Sequence, residues 1–367
     1  MRRFFYIKTL YITKFSINHL RNITQAEFAF SPTLNFICGN NGAGKSSILE
    51  GIYLLARAKS FKNTHSKSLI QQGQKELTLY TEITDKEGIT SKIGLRKQGA
   101  TTDIRIDGEH LKRLSDLVTT LTISLVTPQS HRIVEEGPEH RRRLLNWGVF
   151  HVEHNFKQIA STYNRILAQR NSALKSNQSF HNAWDEQLCR FATEINKYHL
   201  QYIAKWSEII QSLCDDIEYL RPLRILYQYG WDNRSSLIDV LRKKIEMDRT
   251  RGFTSSGPHR SDIQFMIGSK PAKEVLSRGQ QKLLMIILLL AQTRLMSDAT
   301  GEKSVFLIDD LHSELDSNSQ KTALEKVAQE ECQAVITAIG ANGTALDSFT
   351  ENHAMFHVEH GSVERIG

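Results

Sequence analysis

The sequence predicts an α/β fold in which a mixed sheet with helices is split by an inserted α-helical lobe. Three observations carry this expectation. A glycine-rich loop, GNNGAGKS (39–46), lies between an apolar strand and an amphipathic helix. A second apolar strand, Val305–Ile308, ends in Asp309-Asp310, 264 residues after Lys45 and too far away for one continuous unit. Between the two, the apolar spacing changes to steps of three and four.

In chain order, Tyr11-Ile12 and Phe15–Ile17 read as short strands leading to the apolar run Leu34–Cys38. After the loop, Ile48, Ile52 and Leu55 recur at i, i+4 and i+7, which places them on one helix face. Leu77, Leu79, Thr81, Ile83, Ile104 and Ile106 alternate as in antiparallel strands, and Asp107-Gly108 is a turn signal. From 140 to about 250 the only proline is Pro222. Phe156, Ile159, Tyr163 and Ile166, then Leu188, Phe191, Ile195, Tyr198, Tyr202, Trp206, Ile209 and Leu213, form a two-helix seam joined by the polar stretch 175–179. The seam is too short for a long coiled coil and predicts a helical subdomain packed on itself.

Gly252, Gly257, Pro258 and Gly268 mark loops. SRGQQKLLMIILLLAQTRL (277–295) reads as a helix, apolar all round in its middle and therefore buried. Val305–Ile308 and Ala334–Thr337 read as strands of a parallel sheet, and 355–358 with 363–366 as a closing hairpin around Gly361. The expected divisions are 1–135 and 251–367 for the two halves of the α/β unit and 136–250 for the insert.

Hydrophobic content of 40% and charged content of 24% fit a soluble globular protein and argue against extended disorder. The longest apolar run, Leu283–Ala291, is shorter than the roughly 20 residues a bilayer span needs, and the N-terminal region lacks a secretory pattern, so no membrane association is expected. Four scattered cysteines without a CxxC suit reduced thiols in the cytoplasm and argue against a zinc site. HVEH occurs at 151–154 and 357–360, but two histidines alone rarely hold a metal. The net charge of +7 resides in residues 1–62, with nine basic and two acidic side chains; the rest of the chain balances at 38 of each. A basic end suits a polyanion such as nucleic acid.

GNNGAGKS fits G-x-x-x-x-G-K-[ST], a match with chance odds of roughly 1 in 80 at ordinary composition. Gly39, Gly42 and Gly44 let the backbone bend so that the N–H groups of Asn40, Asn41, Ala43 and their neighbours face phosphate oxygens. The helix beginning at Lys45 adds the positive end of its dipole. Lys45 is expected on the β- and γ-phosphates, Ser46 on Mg²⁺ and Ser47 beside it. Asp309, at a strand end, is the expected metal carboxylate, and Asp310 the general base that polarises the attacking water.

Leu276-Ser277-Arg278-Gly279-Gln280-Gln281 stands shortly before this strand, and Ser313-Glu314-Leu315-Asp316 follows it. The order of these motifs resembles the ABC-type P-loop ATPase head. Gln129 in Thr127-Pro128-Gln129 stands where that class has its Q-loop glutamine, a catalytic residue on the metal side. Within the class the chain resembles the RecF family, DNA repair ATPases related to SMC proteins. The resemblance spans nearly the whole length and rests on NHLRN (18–22), ARAKSFKN (56–63), EEGPEHRRRLLNWGVFH (135–151), TSSGPHRSD (254–262), LSRGQQKLL (276–284) and FLIDDLHSELD (306–316).

The resemblance implies that ATP and Mg²⁺ are sandwiched between two protomers, with Ser277, Gly279 and Gln280 of one facing the γ-phosphate on the other. It implies an ATP-dependent homodimer that binds double-stranded and gapped DNA, works with RecR- and RecO-type mediators and helps load RecA. Arg57, Lys59, Lys62 and Lys67, and Arg141, Arg142 and Arg143, are the candidate DNA contacts; the competing reading pairs the arginine run with Glu135, Glu136 or Glu139. Two departures from the transporter pattern point to weak turnover and a switch. Asp310 stands where transporters have Glu, and no histidine follows the strand ending Thr337-Ala338. The competing functions are a transporter's ATPase subunit, disfavoured by the missing histidine, and an SMC-like DNA-bridging head, disfavoured by the short insert.

Overall fold

A computed structural model describes residues 11–62, 69–85, 87–176, 183–313, 315–339 and 353–366. Lys67, Glu314 and positions 177–179 of the expected connection lie outside them. The chain divides into two units, residues 1–130 with 278–367, and residues 131–277. The second unit runs from His131 to Ser277, whereas the expected insert was 136–250.

The first half of the first unit holds β1 (Tyr11–Leu20), β2 (Ile23–Ala29), β3 (Leu34–Cys38), α1 (Lys45–Arg57), β4 (Glu76–Thr84), β5 (Thr90–Gln98), β6 (Thr101–Ile106), β7 (Glu109–His110), α2 (Leu114–Thr120) and β8 (Ile123–Val126). One sheet, ordered β2-β1-β4-β5-β6-β7, is antiparallel throughout. Its strands bury alternate residues, which is the pattern of a sheet with one wet face. α1 packs on β1, β4 and β5 with Ile48, Ile52 and Leu55 fully buried. Gly51 permits this approach, since a Cβ there would lie 2.9 Å from Phe15 Cζ.

The second unit holds α3 (Arg132–Glu135), α4 (Pro138–Val152), α5 (Phe156–Ser176), α6 (Ala183–Cys214), β9 (Leu223–Gln228), α7 (Leu237–Lys243), α8 (Ile245–Arg251), β10 (Asp262–Ile267), β11 (Lys270–Pro271) and α9 (Ala272–Val275). The expected seam is present as α5 against α6, with Leu188 and Trp206 fully buried. The insert is not purely helical: β9, β10 and β11 form an antiparallel sheet, and this pairing carries the unit past 250. Arg170 of α5 is buried and binds Asp185 of α6 at 2.7 Å, Asp248 of α8 at 3.1 Å and Thr254 at 2.8 Å, so one guanidinium ties two helices to the Thr254–Asp262 stretch.

The first unit resumes with α10 (Arg278–Thr300), β12 (Val305–Ile308), α11 (Ser317–Gln329), β13 (Ala334–Ala338), β14 (His353–Glu359) and β15 (Ser362–Arg365). The second large sheet is ordered β15-β14-β3-β13-β12-β8, parallel except for the β15 edge. Both strands of the expected closing hairpin are present, but β14 also joins β3 in parallel. β12 and β13 are buried at every residue, as a sheet covered on both faces requires. α10 is buried without interruption from Gln281 to Thr293. By length and composition it could cross a membrane, which the nine-residue apolar run did not suggest, yet 72% of its most apolar window is buried inside the protein.

Candidate nucleotide-binding site

Parallel register brings the C-terminal ends of β3, β13, β12 and β8 to one edge of the sheet. The glycine-rich loop leaves β3 there, Thr337 lies in β13, Asp309 and Asp310 follow β12, and Gln129 follows β8. This one edge collects stretches from both ends of the chain.

The loop is shaped by positive φ at Gly39 (154°), Gly42 (81°) and Gly44 (118°). A Cβ on Gly39 would lie 2.3 Å from the Val358 carbonyl oxygen, so no side chain fits. α1 starts after Gly44 with no side-chain cap and no acid in its first turn. The N–H groups of Ser47 and Ile48 bond the Gly44 carbonyl, at 2.9 and 3.2 Å. An uncapped helix start behind a glycine loop suits an anion. Asn40 and Asn41 are exposed on the loop, and Ala43 is buried beneath them. The Ala43 N–H donates to the Asn40 carbonyl at 3.2 Å, and the Ala43 carbonyl accepts from the Gly361 N–H at 3.2 Å.

Asn22, the last residue of NHLRN, holds the loop from behind. Its Nδ2 donates to the Gly42 carbonyl at 3.2 Å, and its Oδ1 accepts from Ser47 Oγ at 3.2 Å. Arg21 in turn ion-pairs with Glu50 of α1, a fully buried carboxylate that Ser60 also binds. Sequence reasoning noted NHLRN but gave it no role; its bonds form only in the folded unit.

Lys45 is buried and donates to the carbonyls of Gly39 at 2.6 Å and Asn40 at 2.9 Å. Burial lowers its pKa, and Asp310, Asp309 and Cys38 oppose that fall. Burial also pushes the neighbouring Cys38 thiol up to about 11, against the opposing charge of Lys45. Ser46 Oγ donates to Asp309 Oδ1 at 2.8 Å. Thr337 Oγ1 donates to the same oxygen at 3.0 Å and accepts from the Asp310 N–H at 2.7 Å. One hydroxyl thus fixes both acids. Asp310 has φ 55°, so the strand geometry ends at Asp309. Asp310 lines the cavity of about 180 Å³ shared by Asn22, Asn41, Gly42, Gly44, Lys45, Ser46, Ser47 and Thr337. A hydroxyl and a carboxylate are hard oxygen ligands and fit Mg²⁺, which needs only one or two carboxylates beside substrate phosphates. Among the described residues there is no cluster of three or more His, Cys, Asp or Glu that could hold a metal alone.

The remaining candidates fall elsewhere. Gln129 is exposed in a 3₁₀ turn and does not line this cavity. Gly279 and Gln280 sit half-buried in the first turn of α10 and do not line it either; Ser277 is exposed and ends the second unit. Lys282 of α10 is wholly buried and donates to the carbonyls of Asp310 at 2.6 Å and Ser313 at 2.7 Å, which bolts the helix bearing Gly279 to the turn after β12.

Most of the candidate DNA contacts have partners within the chain. Lys62 lines the nucleotide cavity. The Arg57 guanidinium is half-buried at the end of α1, donates to the Ile123 carbonyl at 3.4 Å and has its pKa lowered by burial. Arg141 forms a two-pronged pair with Asp262 at 2.8 and 2.9 Å, and Arg142 donates to the Ser261 carbonyl at 2.7 Å. Arg143 pairs with Glu139 one turn away, as the competing reading had it. These arginines bind the SGPHRSD loop or their own helix. Among the described candidates, Lys59 is exposed past the end of α1.

The family described as RecF/RecN/SMC N terminal domain matches residues 11–364. The DNA replication and repair protein RecF of Shewanella baltica (strain OS223) is 35% identical over 358 residues, covering 97% of this chain and 99% of that protein. The protein of the same name from Aliivibrio fischeri (strain MJ11) is 35% identical over 355 residues, covering 96% and 99%. A solved structure of the recombination mediator protein RecF-ATPrS in the RecFOR pathway superposes with a TM-score of 0.82 at 25% identity, covering 99% of this chain and all of that one. An SMC head bound to a winged-helix domain of ScpA shares the fold, with a TM-score of 0.57 at 15% identity over 97% of each chain.

Proposed function

The chain belongs to the RecF family of DNA replication and repair proteins, and from that membership we propose that it is an ATP-driven switch on DNA. The observation that carries the proposal is the constellation of Lys45, Ser46, Asp309, Asp310 and Thr337 around an uncapped helix start. The similarity to a RecF-ATPrS structure supports ATP as the nucleotide.

In this reading Lys45 exchanges the Gly39 and Asn40 carbonyls for β- and γ-phosphate oxygens. The loop N–H groups and the α1 dipole add to that attraction. Ser46 and Asp309, already 2.8 Å apart, are the residues that would hold Mg²⁺. The ion, when bound, neutralises charge developing on the phosphates. Asp310, oriented through its backbone by Thr337, takes the proton of the attacking water. Its short side chain, and a threonine in place of a histidine after β13, favour slow turnover.

Ser277, Gly279 and Gln280 stand outside the Lys45 cavity and suit a second protomer's γ-phosphate, so ATP would join two chains and hydrolysis release them. The joined heads bind duplex DNA near single-strand gaps, with RecR- and RecO-type mediators, and assist RecA loading in the cytoplasm. The RecFOR context of the similar structure supports those partners. The test is DNA affinity on gapped and blunt duplexes with and without Mg²⁺ and ATP. ATP should tighten binding, gapped duplex should be preferred, and Lys45→Met should abolish the ATP effect. An affinity unchanged by ATP would overturn the proposal.

A further inference from the structure

His312 follows the acidic pair on the turn between β12 and α11, and both of its ring nitrogens are shut from solvent without a hydrogen-bond partner. Asp310 Oδ1 is in the same condition. Buried polar atoms are nearly always paired, and an unpaired one carries the desolvation penalty of its group. Three such atoms on two neighbouring residues mark a place where something binds. Lys282 holds the backbone on either side of His312, through the carbonyls of Asp310 and Ser313 at 2.6 and 2.7 Å, so the turn is fixed before any ligand arrives.

The charges facing the ring are Asp310, Lys282 and Lys45. Burial lowers the imidazole pKa, the two lysines act in the same direction and Asp310 opposes them, so the neutral ring predominates near neutral pH. A neutral imidazole offers one N–H donor and one acceptor. A metal is a poor occupant, since one histidine and one carboxylate make too few ligands. An anionic oxygen brought in beside Lys45 matches the donor.

We propose that His312 contacts the terminal phosphoryl group of a bound nucleoside triphosphate, donating a hydrogen bond to it, and so lets the site distinguish triphosphate from diphosphate. The proposal rests on the nucleotide reading of the Lys45 cavity and adds the residue that senses the γ-position. A histidine is absent after β13, where the sequence comparison sought it; His312 lies on the turn after β12, two residues beyond Asp310, which lines the Lys45 cavity.

The test is equilibrium binding of a non-hydrolysable ATP analogue and of ADP, by calorimetry with Mg²⁺, to the full chain and to His312→Ala and His312→Gln. The alanine variant should bind the triphosphate about 10-fold or more weakly, the scale of one hydrogen bond to a charged group, while ADP affinity stays within about twofold. The glutamine variant keeps a side-chain N–H and should recover most of the loss. Equal weakening for both nucleotides, or no change for either, would overturn the proposal while leaving the nucleotide site standing. Failure of the unaltered chain to bind either nucleotide would overturn the site reading and the proposal with it.

Discussion

Replacing Thr337 with valine keeps the shape of the side chain and removes its hydroxyl. Two hydrogen bonds disappear: the donation to Asp309 Oδ1 at 3.0 Å and the acceptance from the Asp310 N–H at 2.7 Å. Thr337 is fully buried, so water does not replace them at no cost. A bond to a charged acceptor is worth about 1.5–3 kcal/mol, and an orphaned buried N–H costs about 1–3 kcal/mol. Ser46 still holds Asp309. Allowing for partial relaxation, the loss should be about 2–4 kcal/mol. Thermal unfolding should then begin several degrees lower. Mg²⁺-dependent ATP binding should weaken more than Mg²⁺-independent binding, because Asp309 has lost one of its two anchors. Thr337→Ser restores the hydroxyl and should return both properties most of the way. Scanning calorimetry and titration calorimetry read the two effects. A valine variant with unaltered melting and unaltered Mg²⁺ dependence would refute the view that this hydroxyl organises the acidic pair.

Asp310→Asn should retain ATP binding while slowing phosphate release by about 100-fold or more, the usual contribution of a positioned base, in a single-turnover assay; unchanged turnover would remove Asp310 from that role. Arg141→Ala should lower the melting temperature, because it leaves the buried Asp262 carboxylate without its pair, and should leave DNA affinity within about twofold; a steep drop in affinity with normal stability would restore Arg141 as a DNA contact. His199 and His259 are held down to about 3 and about 4 by burial, so the folded state takes up their protons later than the unfolded chain does. Stability should therefore fall as pH drops from about 6.5 toward 4, and His199→Gln should flatten that dependence in melts across the range; an unchanged slope would contradict it.

The parts that repeat along the chain were legible in the sequence. α10 declared itself by an apolar surface on every side, β12 and β13 by unbroken apolar runs, and α5 and α6 by spacing. β9 was missed because it lies inside a segment whose longer helical periodicity masks it. The glycine loop and the acidic pair could be read because local backbone and strand-end chemistry define them. Asn22, Thr337 and Lys282 could not, since each acts through a bond to a residue distant in sequence. The Arg141–Asp262 pair was out of reach for the same reason, since its two members lie 121 residues apart.

The central claim is that ATP joins two copies of the chain through residues at the start of α10. Sedimentation velocity at fixed protein concentration tests it most directly. The 41.9 kDa chain should sediment as a monomer alone and with ADP, and as a dimer with Mg²⁺ and a non-hydrolysable ATP analogue. Ser277→Arg should bind the analogue normally and remain monomeric. A chain that stays monomeric with saturating analogue, or a Ser277→Arg variant that dimerises like the unaltered protein, would contradict it.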